Sequence, residues 1–186
     1  MSPIVFLDLD GVCNDDAHYS AAVAGCRTHT EAIAAALARG LDPVRVARVE
    51  RVCAAVGASV VIVSGWRRYA TVEQIGASLR AAGLTAPVID AVGGVKMSGD
   101  LRQSATHEWL REHPEVTAWA VIDDDRDAWV SQRNVERDEV RNGRRVRVHA
   151  CETTTAPWLV GHIVHPVDGI TVADAEAALA ALRGAT

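Results

Sequence analysis

Three short apolar runs in this chain stop abruptly at acids or small polar residues. Ile4–Leu7 runs into Asp8, Asp10 and Gly11, residues 60–63 into Ser64 and Gly65, and residues 118–122 into Asp123, Asp124 and Asp125. Unbroken apolar runs of this length fit strands buried on both faces. Between them the apolar positions take a helical spacing. "THTEAIAAALARG" reads as a helix with Thr28 or Thr30 as its cap and Gly40 as its stop. "DPVRVARVERVCAAVG" reads as a second, with Asp42 at the cap, Pro43 in the first turn, and Val46, Val49, Val52 and Val56 along one face. "TVEQIGASLRAAGL", "SATHEWLREHP" and "TVADAEAALAALRG" are predicted helices, the last capped by Thr171. "APVIDAV" and "RRVRVHAC" are further strand candidates, and residues 15–30 carry no clear pattern.

Strands alternating with helices predict a three-layer α/β fold around a mostly parallel sheet. No internal repeat, low-complexity linker or second domain boundary is visible. A single domain over residues 1–186 is expected, with at most a small cap at 14–56. A further irregular or partly extended insertion is expected at 129–160.

Composition changes this picture little. The 186 residues are 49% apolar, enough for a sizeable core. A net charge of -5 argues against a broadly basic nucleic-acid binder. The cysteines, Cys13, Cys26, Cys53 and Cys151, form no CxxC pair or zinc spacing. The histidines form no HExxH pattern, and no GxxxxGK[ST] phosphate loop is present. With no leader-like start and no apolar run near the roughly 20 residues of a membrane span, a soluble cytoplasmic protein is expected.

The chemistry lies at the strand ends, which in an open α/β sheet face one crevice. Gathering Asp8, Asp10, Asp123, Asp124 and Asp127 there would concentrate negative charge that only a cation can offset. Oxygen-only donors favour Mg²⁺ over zinc. Asp8 is placed to attack an electrophilic phosphorus. Asp10, just past the strand end, is placed to protonate the leaving oxygen and later to activate water. Ser64 is a candidate donor to a phosphoryl oxygen, and Arg102 or Lys96, the only lysine, would complete the charge balance.

These segments carry a family resemblance. "FLDLDGV" resembles the first motif of the haloacid dehalogenase-like (HAD) superfamily in its phosphatase form. "VIVSGWR" is similar to the second motif and "AVIDDDRD" to the fourth, in the expected order from Val5 to Asp127. More narrowly, "DLDGVCN", "SGWR", "RQSATHEWL" and "HPVDGITVADAEAAL" resemble the phosphatase-type domains associated with multidomain RNA-repair proteins. The resemblance implies a Rossmann-like HAD fold, with Asp8 as nucleophile, Asp10 as general acid/base, Ser64 binding phosphate and Arg102 as the third-motif basic residue. Gln103 and Ala105 depart from the family, standing where Gly and Glu are common. Two fourth-motif acids would serve the metal, with Asp123 and Asp124 leading and Asp127 binding or orienting.

The expected function is a Mg²⁺-dependent phosphomonoester hydrolase working through an aspartyl-phosphate. Its substrate would be a nucleotide or a phosphorylated nucleic-acid end. The alternatives are a small-metabolite phosphatase and a non-catalytic phosphate or nucleic-acid binding module. No membrane and no obligate protein partner are expected. Asn14 is a candidate for substrate contact or for tying the nucleophile loop to backbone groups. Trp66 would stack on a base or sugar, or pack beside the strand. Arg67 would reach substrate or orient acids. "RNGRRVRVHA" would dock a phosphate, or form a hairpin turning at Asn142-Gly143.

Overall fold

A computed structural model describes residues 2–92, 102–125, 129–141, 144–155, 163–164, 166 and 170–184; for 16, 130–141, 144–155 and 163 the description is of backbone only. Four apolar segments and one two-residue segment build a single parallel sheet. They are β1 (Ile4–Leu7), β2 (Ser59–Ile62), β3 (Val88–Ala91), β4 (Trp119–Ile122) and, later in the chain, β7 (Ile163–Val164). Their order is β3-β2-β1-β4-β7, and each neighbouring pair is parallel.

The sheet is buried on both faces, which is why its strands read as unbroken apolar runs. Side chains alternate between the faces. Val5, Leu7, Val60, Ile62, Ala120 and Ile122 share one core with α3 (Pro43–Val56), α4 (Val72–Ala81) and α6 (Val172–Gly184). Ile4, Phe6, Val61, Val63 and Val121 meet α5 (Arg102–Glu112) through Ala105 and Trp109. Phe6 stands edge-on to Trp109, with ring centroids 5.4 Å apart. The result is the three-layer Rossmann-like α/β architecture that the alternation implied.

Residues 14–56 hold three helices. α1 (Asp16–Val23) falls in the stretch without a clear pattern and is capped by Asp15, whose Oδ1 accepts from the His18 N–H. α2 (His29–Arg39) is capped by Thr28 rather than Thr30, in a reciprocal pair with Glu31. α3 starts at Asp42 and Pro43 and drives Val46, Val49 and Val52 into the core, so it belongs to the helical layer.

The stretch after residue 129, expected to be irregular or partly extended, holds a long antiparallel pair. β5 (Val130–Arg141) and β6 (Arg144–Thr155) form their own two-stranded sheet, in register from Val130↔Thr155 to Arg141↔Arg144. "RRVRVHAC" is thus a strand, but outside the central sheet. The expected Asn142-Gly143 turn lies outside the described residues, between the two strands. Among the described residues no helix is long and apolar enough to cross a membrane.

Candidate active site

The connection from β3 to β4 carries the chain from one side of β1 to the other, so the strand order reverses between β1 and β4. Such a switch point opens a crevice at the carboxyl ends of the strands. Leu7 pairs in register with both Ile62 and Ile122, so Asp8, Val63 and Asp123 follow at the same level. The ladder continues past the strands, with the Asp8 N–H donating to the Ile122 carbonyl at 3.0 Å and the Val63 N–H to the Leu7 carbonyl at 3.0 Å.

Asp8 and Asp123 are both buried, at 2% and 0% exposure. Their shared partner is Arg102, the first residue of α5. Its Nη1 donates to Asp8 Oδ2 at 2.9 Å and to Asp123 Oδ2 at 2.6 Å. Arg102 lies three and seven residues before Ala105 and Trp109, on the helix face that packs against the sheet. The packing of α5 therefore aims this guanidinium at the strand ends. Burial pulls its proton affinity down, but Asp8 and Asp123 outweigh burial and hold it above its ordinary value. Lys96, its competitor in the sequence, lies outside the described residues.

Asp124 completes an acidic group. One carboxylate oxygen from each of Asp8, Asp123 and Asp124 lies within 4.8 Å of the others. Burial, and then the charge of Asp8, pushes the Asp123 and Asp124 carboxyls above the usual carboxylate range. Gly11 makes room for this group. Its φ is +67°, and a Cβ there would collide with the Asp124 carboxylate. Asp8 Oδ1 is buried with no hydrogen-bond partner among the described residues. Three carboxylates offering hard oxygen donors, one of them with an orphaned buried oxygen, fit a small divalent cation such as Mg²⁺.

Asp10 stands apart from that group. Trp66 donates its indole N–H to Asp10 Oδ2 at 2.7 Å, and Asp10 Oδ1 is buried without a partner among the described residues. Burial pushes the Asp10 carboxyl up to about 6; Asp8 and Asp124 add to the rise, and the Trp66 hydrogen bond opposes it. Asp10, expected among the metal ligands, thus has its side chain engaged by the indole rather than gathered with the other acids. Asp127 lies outside the described residues.

The turn after β2 holds Ser64, Trp66 and Arg67. Ser64 is buried and caps the 3-10 turn Gly65–Arg68, its Oγ accepting from the Trp66 N–H at 3.4 Å. That contact leaves the hydroxyl proton to donate elsewhere. Trp66 is only 1% exposed and presents no open face for stacking on a base. Arg67 is buried too, and its Nη1 donates to the Val63 and Ser64 carbonyls at 3.0 and 2.7 Å, bracing the turn. Asn14, 1% exposed, accepts the Asp42 N–H on Oδ1 at 3.3 Å and ties the loop after β1 to the start of α3.

Two residues near the site carry no sequence signal for it. Tyr19 on α1 lies within electrostatic range of Asp10, and burial together with Asp10 raises its phenol. Trp129, fully buried, faces Asp123 from the root of β5. Cys13 is buried beneath the loop, and burial followed by the charge of Asp8 raises its thiol, which suits core filling rather than nucleophilic chemistry.

No curated protein and no solved structure matches the chain. Residues 4–150 match the family described as the HAD domain in Swiss Army Knife RNA repair proteins. That match runs from the first strand through the loop of Asp8 and Asp10, the Ser64 turn, Arg102 and the acidic end of β4, and the chain belongs to this family of HAD domains.

Proposed function

We propose that the protein is a Mg²⁺-dependent phosphomonoester hydrolase that works through an aspartyl-phosphate on Asp8. The observation that carries this reading is the pairing of two differently treated acids on one loop. Asp8 is buried against Arg102 and beside Asp123 and Asp124, while Asp10, two residues on, has its proton affinity raised toward neutrality. A nucleophile needs the first environment and a general acid the second.

Asp8, Asp123 and Asp124 would hold the metal. When bound, Mg²⁺ would screen the negative charge of the phosphoryl group against these carboxylates. Arg102 fixes Asp8 through Oδ2. The Asp8 carboxylate attacks phosphorus, and the bond to the leaving oxygen breaks. Asp10 gives its proton to that oxygen. Water then attacks the aspartyl-phosphate, Asp10 takes a proton from it, and inorganic phosphate departs. Ser64 donates to a phosphoryl oxygen throughout.

The tie of this family to RNA repair proteins favours a phosphorylated nucleic-acid end or a nucleotide over a small metabolite. Phosphate release should be measured with and without Mg²⁺ on nucleotides, sugar phosphates, and oligonucleotides carrying a 5′- or 3′-phosphate. Metal-dependent release that is fastest on nucleotides or oligonucleotides supports the reading. Release only from sugar phosphates would make the protein a metabolite phosphatase. Mg²⁺-dependent binding without release would make it a binding module.

A further inference from the structure

We propose that Trp66 is a positioning residue for Asp10, and that its indole fixes which carboxylate oxygen exchanges the catalytic proton. The inference rests on the reading of Asp10 as the general acid.

Trp66 is held at both ends. Its ring is buried in the core that also contains Leu9, Val12 and Cys13 of the nucleophile loop. Its backbone N–H donates to Ser64 Oγ, and its carbonyl accepts from the Tyr69 and Ala70 N–H groups at 2.9 Å each. The indole N–H then reaches Asp10 Oδ2 at 2.7 Å, across 56 residues of chain.

An indole N–H donates and never accepts. Asp10 Oδ2 therefore serves it as acceptor, best as a carboxylate or carbonyl oxygen. The carbonyl oxygen of a carboxylic acid accepts better than its hydroxyl oxygen, so a proton on Asp10 is favoured on Oδ1, which has no partner among the described residues. In the first step that proton passes from Oδ1 to the leaving oxygen as the phosphorus–oxygen bond breaks, and the leaving group departs as a neutral alcohol. In the second, a water proton returns to Oδ1 as the water oxygen bonds to phosphorus and the bond to Asp8 breaks. Without the indole the carboxyl can rotate, and either oxygen can hold the proton. The same short turn sets the Ser64 hydroxyl, so one segment after β2 aligns both the phosphate contact and the acid.

Trp66→Phe keeps an aromatic ring and removes the N–H. On an unactivated alkyl phosphate, whose leaving oxygen needs a proton, kcat/KM should fall about 10- to 100-fold. On an activated aryl phosphate, which departs without one, the loss should stay below about 3-fold. In an Asp10→Asn background, Trp66→Phe should add no further selective loss on the alkyl substrate. Equal losses on both substrates would reduce Trp66 to a packing residue and overturn the inference. No release by the native chain from either substrate would overturn the phosphatase reading itself, and this inference with it. If the variant does not fold, ¹⁵N-labelled tryptophan in the otherwise native chain puts the question differently. The Trp66 Nε1–H signal should move upfield and exchange faster in Asp10→Ala; an unmoved signal would contradict the hydrogen bond on which the positioning depends.

Discussion

Asp8 and Asp123 are neighbours because Leu7 and Ile122, the residues before them, are register partners in the central sheet. Both carboxylates are buried, and Arg102 Nη1 serves both, at 2.9 and 2.6 Å. With Asp124 added, three acids face one guanidinium. A divalent cation would offset that excess of negative charge.

Asp123→Asn and Asp124→Asn should therefore weaken Mg²⁺ activation. Removing even an outer-shell partner of a metal ligand typically costs about 10- to 100-fold in affinity. Loss of a ligand should cost at least the lower figure. The measurement is the Mg²⁺ concentration for half-maximal phosphate release, or Mg²⁺ titration by calorimetry. An unchanged concentration dependence in both variants would remove these acids from the metal site.

Arg102→Ala leaves Asp8 and Asp123 buried with no cation between them. Breaking a buried ion pair from one side costs about 3–5 kcal/mol. Urea unfolding of the variant without Mg²⁺ should show a loss of that order, and added Mg²⁺ should recover part of it. A variant as stable as the native chain would show that the two acids are neutral there or otherwise paired.

Gly11→Ala should damage both stability and metal affinity. The backbone at φ +67° disfavours a side chain, and the new Cβ would displace the Asp124 carboxylate. Strain of this kind costs about 1–3 kcal/mol. Thermal unfolding and Mg²⁺ titration read the two effects separately. A loss of stability with native Mg²⁺ affinity would show that Asp124 finds its place without Gly11.

Asp10 predicts a pH dependence of folding. Its carboxyl ordinarily titrates at 3.8 and is raised to about 6 in the fold. Between those values the folded state binds more protons than the unfolded one, so this group makes stability fall as pH rises through that window. Asp10→Asn removes the contribution. Without Mg²⁺, the stability of the variant relative to the native chain should grow as pH rises from about 4 to above 6. Urea unfolding across that range checks it. A difference independent of pH would mean that Asp10 titrates at its ordinary value.

The strand ends were legible because double burial forces unbroken apolar runs, and an acid at the end of such a run stands out. Asp8, Ser64 and Asp123 could be read on that ground alone. Arg102 could not be separated from Lys96, because the choice depends on how α5 is rotated by Ala105 and Trp109 against the sheet. For Trp66 and Arg67, substrate contact could not be separated from packing or bracing, because exposure is invisible in sequence. Both are buried in the turn that follows β2. β5 was legible only as part of an irregular or partly extended stretch, because "VSQRNVERDEVR" is mostly polar and its strand is defined by its ladder with β6. β7 is two residues long, too short to leave a pattern. α1 lacks a strong apolar face, and its clearest local signal is the Asp15 cap.

The most direct test of the central claim is to trap the covalent intermediate. A substrate carrying a labelled phosphoryl group should be mixed with the protein and Mg²⁺, quenched in acid within one turnover, and the peptides mapped. The label should appear on the Asp8 peptide, be released by hydroxylamine, and be absent from Asp8→Asn, whose turnover should fall by at least about 10³-fold. Turnover that persists in Asp8→Asn, or label on a different residue, would contradict the account.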